Sequence, residues 1–206
     1  MKQLDYNVIA SGSSGNAVRI ENIMIDCGIP FKKMEEDLYK VDTLLITHSH
    51  SDHIKPSTLK AIRDWFPRIK VYGNYHVAYQ YKVDKIIGTA AVTLPKNRTI
   101  IPVEGLHDVP VTYFYIKIRD LNILYATDTC RISNPLEMPL DFVFLESNYD
   151  ETKLKALAKE YKHRGYDPTA SSFRHLSTQK CKEFYYVWRR NEDSPLIELH
   201  KSSRFY

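Results

Sequence analysis

Short apolar runs separated by tight polar turns fill the first two thirds of the chain, and longer amphipathic stretches close it. Residues 4–10, 17–20 and 22–26 read as strands, the first two divided by a Gly/Ser-rich loop. Residues 41–46 form a short, β-branched apolar run that reads as a buried strand. The middle continues with strands over 70–72, 91–94, 99–103, 111–118 and 122–126, and a further apolar run covers 141–145. A last strand is expected at 195–199. Helical spacing appears at 30–38, 56–65, 75–81, 151–161 and 177–190. Pro56 falls in the first turn of its helix, where a missing N–H costs nothing. Strands, then helices, then strands and helices again suit two packed sheets with helices outside.

The connection between the predicted strand 41–46 and the predicted helix 56–65 carries the chemistry. It reads Thr47-His48-Ser49-His50-Ser51-Asp52-His53. Neutral imidazole and carboxylate are the ligands that zinc and similar cations take. A solvated loop has little reason to use histidine three times in six positions, whereas His76 and His163 read as packing or surface residues. One metal needs about four ligands and a pair needs more, so His or Asp at other strand ends must join the loop. His107, Asp128 and His200 each follow a short predicted strand.

His48-Ser49-His50-Ser51-Asp52-His53 resembles the HxHxDH signature of the metallo-β-lactamase superfamily. Nearly the whole chain is similar to its YycJ/WalJ-like branch: Ala10-Ser11-Gly12-Ser13-Ser14-Gly15-Asn16, Ile25-Asp26-Cys27-Gly28, Leu106-His107-Asp108, Ala126-Thr127-Asp128-Thr129 and Leu145-Glu146-Ser147-Asn148-Tyr149-Asp150. His175-Leu176-Ser177 and the tail from Leu199 to Tyr206 are similar to the end of ribonuclease Z. The resemblance implies an α/β (α+β) fold, a four-layer αββα sandwich in one compact domain over 1–206, with ligands on loops at one edge. It implies that His48, His50 and His107 hold one cation, that Asp52, His53 and His200 hold a second, and that Asp128 bridges both. Zinc is the favoured identity, with manganese sharing the same ligands. The implied reaction is phosphodiester hydrolysis by a metal-bridging hydroxide, which Asp52 can steer. Glu146 would orient His175, and His175 would protonate the leaving oxygen. The alternative for His175 is a structural one, capping the helix that follows. Asp26 and Asp108 adjoin these motifs and are expected to support the ligand loops.

Composition bounds this reading without deciding it. Of the 206 residues, 43% are hydrophobic and 26% charged, as in globular proteins, and no apolar run is long enough to span a bilayer. Cys27, Cys130 and Cys181 are odd in number and widely spaced, which suggests a reducing, cytoplasmic setting and small-residue packing. The net charge of +4 is uneven: residues 151–190 carry +6, leaving −2 elsewhere. That segment suits either attraction of a polyanion or a solvated helix face. Arg174 and Arg204 are the candidate phosphate contacts, and the aromatic run 184–188 either stacks on bases or packs the core.

The substrate expected from the branch is nucleic acid or nucleotide, with DNA favoured. Only seventeen residues separate Asp128 from Glu146, too few for the tRNA-gripping arm of ribonuclease Z, and 175–200 leaves no room for a β-CASP clamp domain. A cyclic-nucleotide phosphodiesterase is therefore the alternative. A thioester or lactone hydrolase and a binding module with a vestigial site are the others. The superfamily also admits a homodimer, in which a second copy supplies part of the substrate wall.

Overall fold

The computed structural model of this chain describes residues 3–161, 170–202 and 206. Among them, twelve strands form two six-stranded sheets. The first sheet sets β1 (Tyr6–Ala10), β2 (Ala17–Ile20), β3 (Ile23–Ile25), β4 (Thr43–Ile46), β5 (Lys70–Gly73) and β6 (Lys85–Ile86) side by side in chain order. It is antiparallel from β1 to β3 and parallel from β3 to β6. The second runs β7 (Val92–Leu94), β8 (Arg98–Gly105), β9 (Val111–Ile118), β10 (Leu121–Ala126), β11 (Phe142–Glu146) and β12 (Leu196–Leu199). It is antiparallel as far as β10 and parallel from β10 to β12. The helices are α1 (Glu35–Leu38), α2 (Pro56–Trp65), α3 (Tyr75–Gln80), α4 (Glu151–Tyr161) and α5 (Thr178–Trp188).

Period-two alternation explains the layering. Ile23, Ile25 and Leu45 meet Ile123, Tyr125 and Phe144 in a core shared by the two sheets. Met24, Leu44 and Ile46 turn the other way, onto Met34, Leu38, Leu59 and Ile62 of the α1/α2 side. Leu124, Ala126, Val143 and Leu145 likewise turn outward and pack with Cys181 and Phe184 of α5. Strands buried on both faces are why the central runs are continuously apolar. Each such Leu, Ile or Phe contributes about 1.5–3 kcal/mol by leaving water. The result is the expected αββα sandwich. The buried Arg98 of β8 reaches Asp42, at the foot of β4, at 2.5 Å and ties one sheet to the other.

Two elements differ from the pattern along the chain. Residues 30–38 are not one helix but a 3₁₀ turn, Phe31–Lys33, followed by the single turn of α1. The break comes at Met34, whose φ is −117° and whose side chain is fully buried, so packing overrides helical continuity. β6, two residues long, offers no alternation from which a strand could be read. Among the described residues no helix is long and apolar enough to cross a membrane.

Candidate metal centre

The parallel strands β3, β4, β10, β11 and β12 deliver their C-terminal loops to one place, the usual position for a site in such sheets. After β4, the amides of His53 and Ile54 both bond the His50 carbonyl at 2.9 Å and coil the loop tightly. Two other loops lace it down: Asn16 N–H donates to the Asp52 carbonyl at 2.7 Å, and Cys27 N–H to that of His53 at 2.8 Å. Gly28 lies in the crossing. A Cβ there would sit 1.7 Å from the Asp52 carbonyl oxygen, so only glycine fits.

Four overlapping groups of side chains converge, one of them Asp128, Glu146, His175 and His200. Candidate ligand atoms of His48, His50 and His107 lie within 4.8 Å of one another, and so do those of Asp52, His53 and His200. Asp128 joins both neighbourhoods: it clusters with His48 and His53, and its carboxylate lies 2.9 Å from His53 Nε2 and 3.6 Å from His200 Nε2. The seven expected residues therefore meet in space. Asp128 and His200 have φ of 54° and 51°, a left-handed backbone that costs a non-glycine residue about 1–3 kcal/mol. Strain of this kind persists where surrounding contacts demand one side-chain direction.

The donor set suits cations. His200 Nε2 is buried with no hydrogen-bond partner, which is costly unless an ion or a proton-bearing neighbour satisfies it. Burial, helped by the neighbouring His53, pushes the His48 imidazole down to about 2, so it stays in the neutral, ligating form. Burial also disfavours charge on His200, but Asp128, Asp52 and Glu146 outweigh it and push that ring up to about 10. His53 rises well above its usual value in the same way, against burial, through Asp26 and Asp128. Burial would raise the Asp128 carboxyl, yet His53 and His200 hold it well below the ordinary range. The site thus attracts positive charge strongly wherever Asp128 points.

Supporting residues fix the imidazoles. Asp26, fully buried with φ 63°, accepts from Thr47 N–H at 2.8 Å and contacts His53 Nδ1 at 2.7 Å. Asn148 Nδ2 lies 3.1 Å from His200 Nδ1, and Ser11 Oγ accepts the His200 amide at 2.8 Å. Asp108 lies 3.0 Å from His107 Nε2 and 3.5 Å from His50 Nε2, and it pairs with Arg174. Thr47, Asn16, Ser11 and Asn148 carry no ligand signature in the sequence, and only the fold brings them to the site. Asn16 Nδ2 sits 2.9 Å from His53 Nε2, and its loop, read only as a tight strand connection, is also a strut of the site.

Glu146 is fully buried at the end of β11, and its Oε1 lies 2.7 Å from His175 Nδ1. Its other oxygen accepts the amides of Thr129 and Leu176 at 3.1 and 3.2 Å. His175 stacks on His200 with ring centres 5.2 Å apart. It does not cap α5; Ser177 does, accepting from Lys180 N–H. Arg174 stands at the rim, half exposed, with its guanidinium committed to Asp108. Arg204 lies outside the described residues, as does His163. In the basic segment Arg190 is paired with Asp141, whereas Lys153, Lys159, Lys180 and Lys182 are exposed. Of the 184–188 run, Phe184 packs the core while Tyr186 and Val187 are exposed. The three cysteines are free, Cys27 and Cys181 buried and Cys130 half-buried.

Comparison with known proteins finds relatives of this chain. Residues 11–57 match the family model described as the metallo-beta-lactamase superfamily. The exodeoxyribonuclease YycJ of Bacillus anthracis is 36% identical over 177 residues, spanning 74% of this chain and 66% of that protein. The exodeoxyribonuclease WalJ of Streptococcus pneumoniae serotype 2 is 26% identical, spanning 86% of this chain and 74% of its own length. Among solved structures, the metallo-beta-lactamase fold protein YhfI of Bacillus subtilis superposes with a TM-score of 0.72 at 17% identity, covering 96% of this chain and 85% of that one.

Proposed function

The chain belongs to the metallo-β-lactamase superfamily, in its YycJ/WalJ-like branch, and on that premise we propose that it is a dinuclear phosphodiesterase, a nuclease acting on DNA. It is a metal-dependent hydrolase; DNA as substrate, two cations and zinc as their identity are the proposed part. One observation carries the reading: seven His and Asp side chains from four loops meet, with a buried imidazole nitrogen of His200 left without a partner.

In this proposal His48, His50 and His107 hold one cation, Asp52, His53 and His200 the other, and Asp128 both. When bound, such a pair supplies a water acidified towards neutral pH and positive charge for the phosphoryl oxygens. Asp52, beside His53 and His200, accepts a hydrogen bond from the attacking water and aligns it. Glu146, held by two backbone amides, accepts a hydrogen bond from His175 Nδ1–H and so orients the ring. His175 then gives its Nε2 proton to the leaving oxygen as the P–O bond breaks, leaving a phosphomonoester and an alcohol.

Metal-loaded protein is incubated with labelled DNA, RNA, cyclic mononucleotides and a thioester, with its metal content measured by elemental analysis. DNA cleavage with about two equivalents of zinc is expected. The seventeen-residue span between Asp128 and Glu146, which favours a compact substrate, supports a second reading as a cyclic-nucleotide phosphodiesterase. Destruction of cyclic nucleotides with DNA left intact would establish that one instead. Stoichiometric metal without turnover of any substrate would reduce the chain to a binding module.

A further inference from the structure

The turn that presents His175 is held from two sides. Glu146 secures it from within: one carboxylate oxygen meets the ring at Nδ1, and the other accepts the Leu176 amide at 3.2 Å. Leu176 is buried, but Phe173 on the other flank is 63% exposed and adds little packing. The second hold is Arg174, which ends the 3₁₀ turn Ala170–Arg174. Its guanidinium pairs with Asp108, and its carbonyl oxygen lies 3.4 Å from His107 Nδ1. Both partners sit on the loop that carries His107 to His48 and His50. Asp108 is fixed there in turn, 3.0 Å from His107 Nε2 and 3.5 Å from His50 Nε2. Arg174 therefore fastens the two loops together by side chain and main chain at once.

The His175 ring lies between two other histidines. Its centre is 5.5 Å from that of His107, edge to face, and 5.2 Å from that of His200, nearly parallel. A hydrogen bond at Nδ1 alone lets the ring rock, so it cannot fix where Nε2 points. The backbone on either side must do that, and misplacement by about 1 Å can cost about 100-fold in rate. The Arg174–Asp108 pair is too exposed to add much to stability, so its effect falls on position.

We propose that Arg174 is a positioning residue for hydrolysis, clamping the His175 turn to the His107–Asp108 loop and so setting the reach of the proton donor towards the leaving oxygen. The inference rests on the phosphodiesterase reading and gives Arg174 a role apart from the phosphate contact its charge suggests. A guanidinium that bound phosphate would act on affinity, whatever the leaving group.

The test compares Arg174→Ala with the parent on an alkyl phosphodiester and its 4-nitrophenyl counterpart, at equal metal content by elemental analysis. For the alkyl ester kcat should fall at least about tenfold, while the 4-nitrophenyl ester, which needs no proton, stays within about threefold and both KM values within about twofold. Arg174→Lys can still pair with Asp108 and should recover most of the loss; Arg174→Met, of similar length without the charge, should not. NMR of the metal-free protein with ¹⁵N-labelled histidine reads the clamp without turnover. The His175 Nδ1–H resonance, identified by its loss in His175→Ala, should broaden away in Arg174→Ala. A parent that cleaves neither ester refutes the hydrolase reading and leaves that resonance to decide the clamp. Equal slowing of both esters, or a raised KM with the resonance intact, refutes the clamp.

Discussion

Replacing Asp26 by Asn should weaken the binding of one cation of the proposed pair while leaving the side-chain volume almost unchanged. In the native arrangement the Asp26 carboxylate is acceptor to Thr47 N–H at 2.8 Å, to Thr47 Oγ1 at 2.9–3.0 Å and to His53 Nδ1 at 2.7 Å. A proton on Nδ1 leaves Nε2 free to ligate, facing Asp52 and Asp128. An Asn amide cannot accept from both Thr47 N–H and His53 Nδ1–H, because these donors face different oxygens of Asp26. With its oxygen on Thr47 N–H, its NH₂ faces Nδ1, which must then accept, and the ring proton moves to Nε2, where the lone pair is needed. Turned over, the NH₂ meets the Thr47 N–H, donor against donor. Losing the partner that orients a ligand typically costs 10- to 100-fold in metal affinity, or about 1.4–2.7 kcal/mol. The loss should fall mainly on the equivalent that His53 holds, because Asp26 bonds His53 Nδ1 directly and reaches His48 Nδ1 only through Thr47 Oγ1. Chelator competition during a zinc titration reads both equivalents. Two equivalents bound within twofold of the parent affinities would refute the tautomer argument.

His175→Ala should bind metal as the parent does and slow hydrolysis of an alkyl phosphodiester by about 10²–10⁴-fold, with a smaller effect on a 4-nitrophenyl ester whose leaving group needs no proton; equal slowing of both would remove the general-acid role. Gly28→Ala drives a methyl group into the Asp52 carbonyl and should lower stability by at least about 1–3 kcal/mol, seen as a reduced urea midpoint together with weaker metal binding. The hydrogen bond from Arg19 holds the Asp5 carboxyl below its usual 3.8. A depressed carboxyl stabilises the fold fully above that value, and the contribution disappears as pH falls through the lower folded value. Asp5→Asn should therefore shrink the drop in urea midpoint between pH 5 and pH 3, and by little, since Asp5 is half exposed.

The Glu146–His175 pair shows where reading the chain had purchase and where it did not. Two motif residues 29 positions apart could be nominated, but their 2.7 Å approach depends on β11 ending beside the turn that precedes α5. Arg174 shows the converse: its charge suggests a phosphate contact, and only the fold reveals that its guanidinium also pairs with Asp108. Asn16 was legible only as part of a turn, because nothing local reveals that its loop crosses beneath Asp52 and His53.

What the sequence determined by itself was local and periodic: the alternation that makes each strand, the spacing of α2 and α5, and a histidine-rich loop whose residue types admit little besides a cation. Those features need only neighbours a few positions away. Tertiary structure alone decided that four distant loops share one centre and that His200 turns an unpartnered nitrogen into it. Each depends on how two sheets pack, a matter of contacts between residues tens to hundreds of positions apart, which no short stretch of chain encodes.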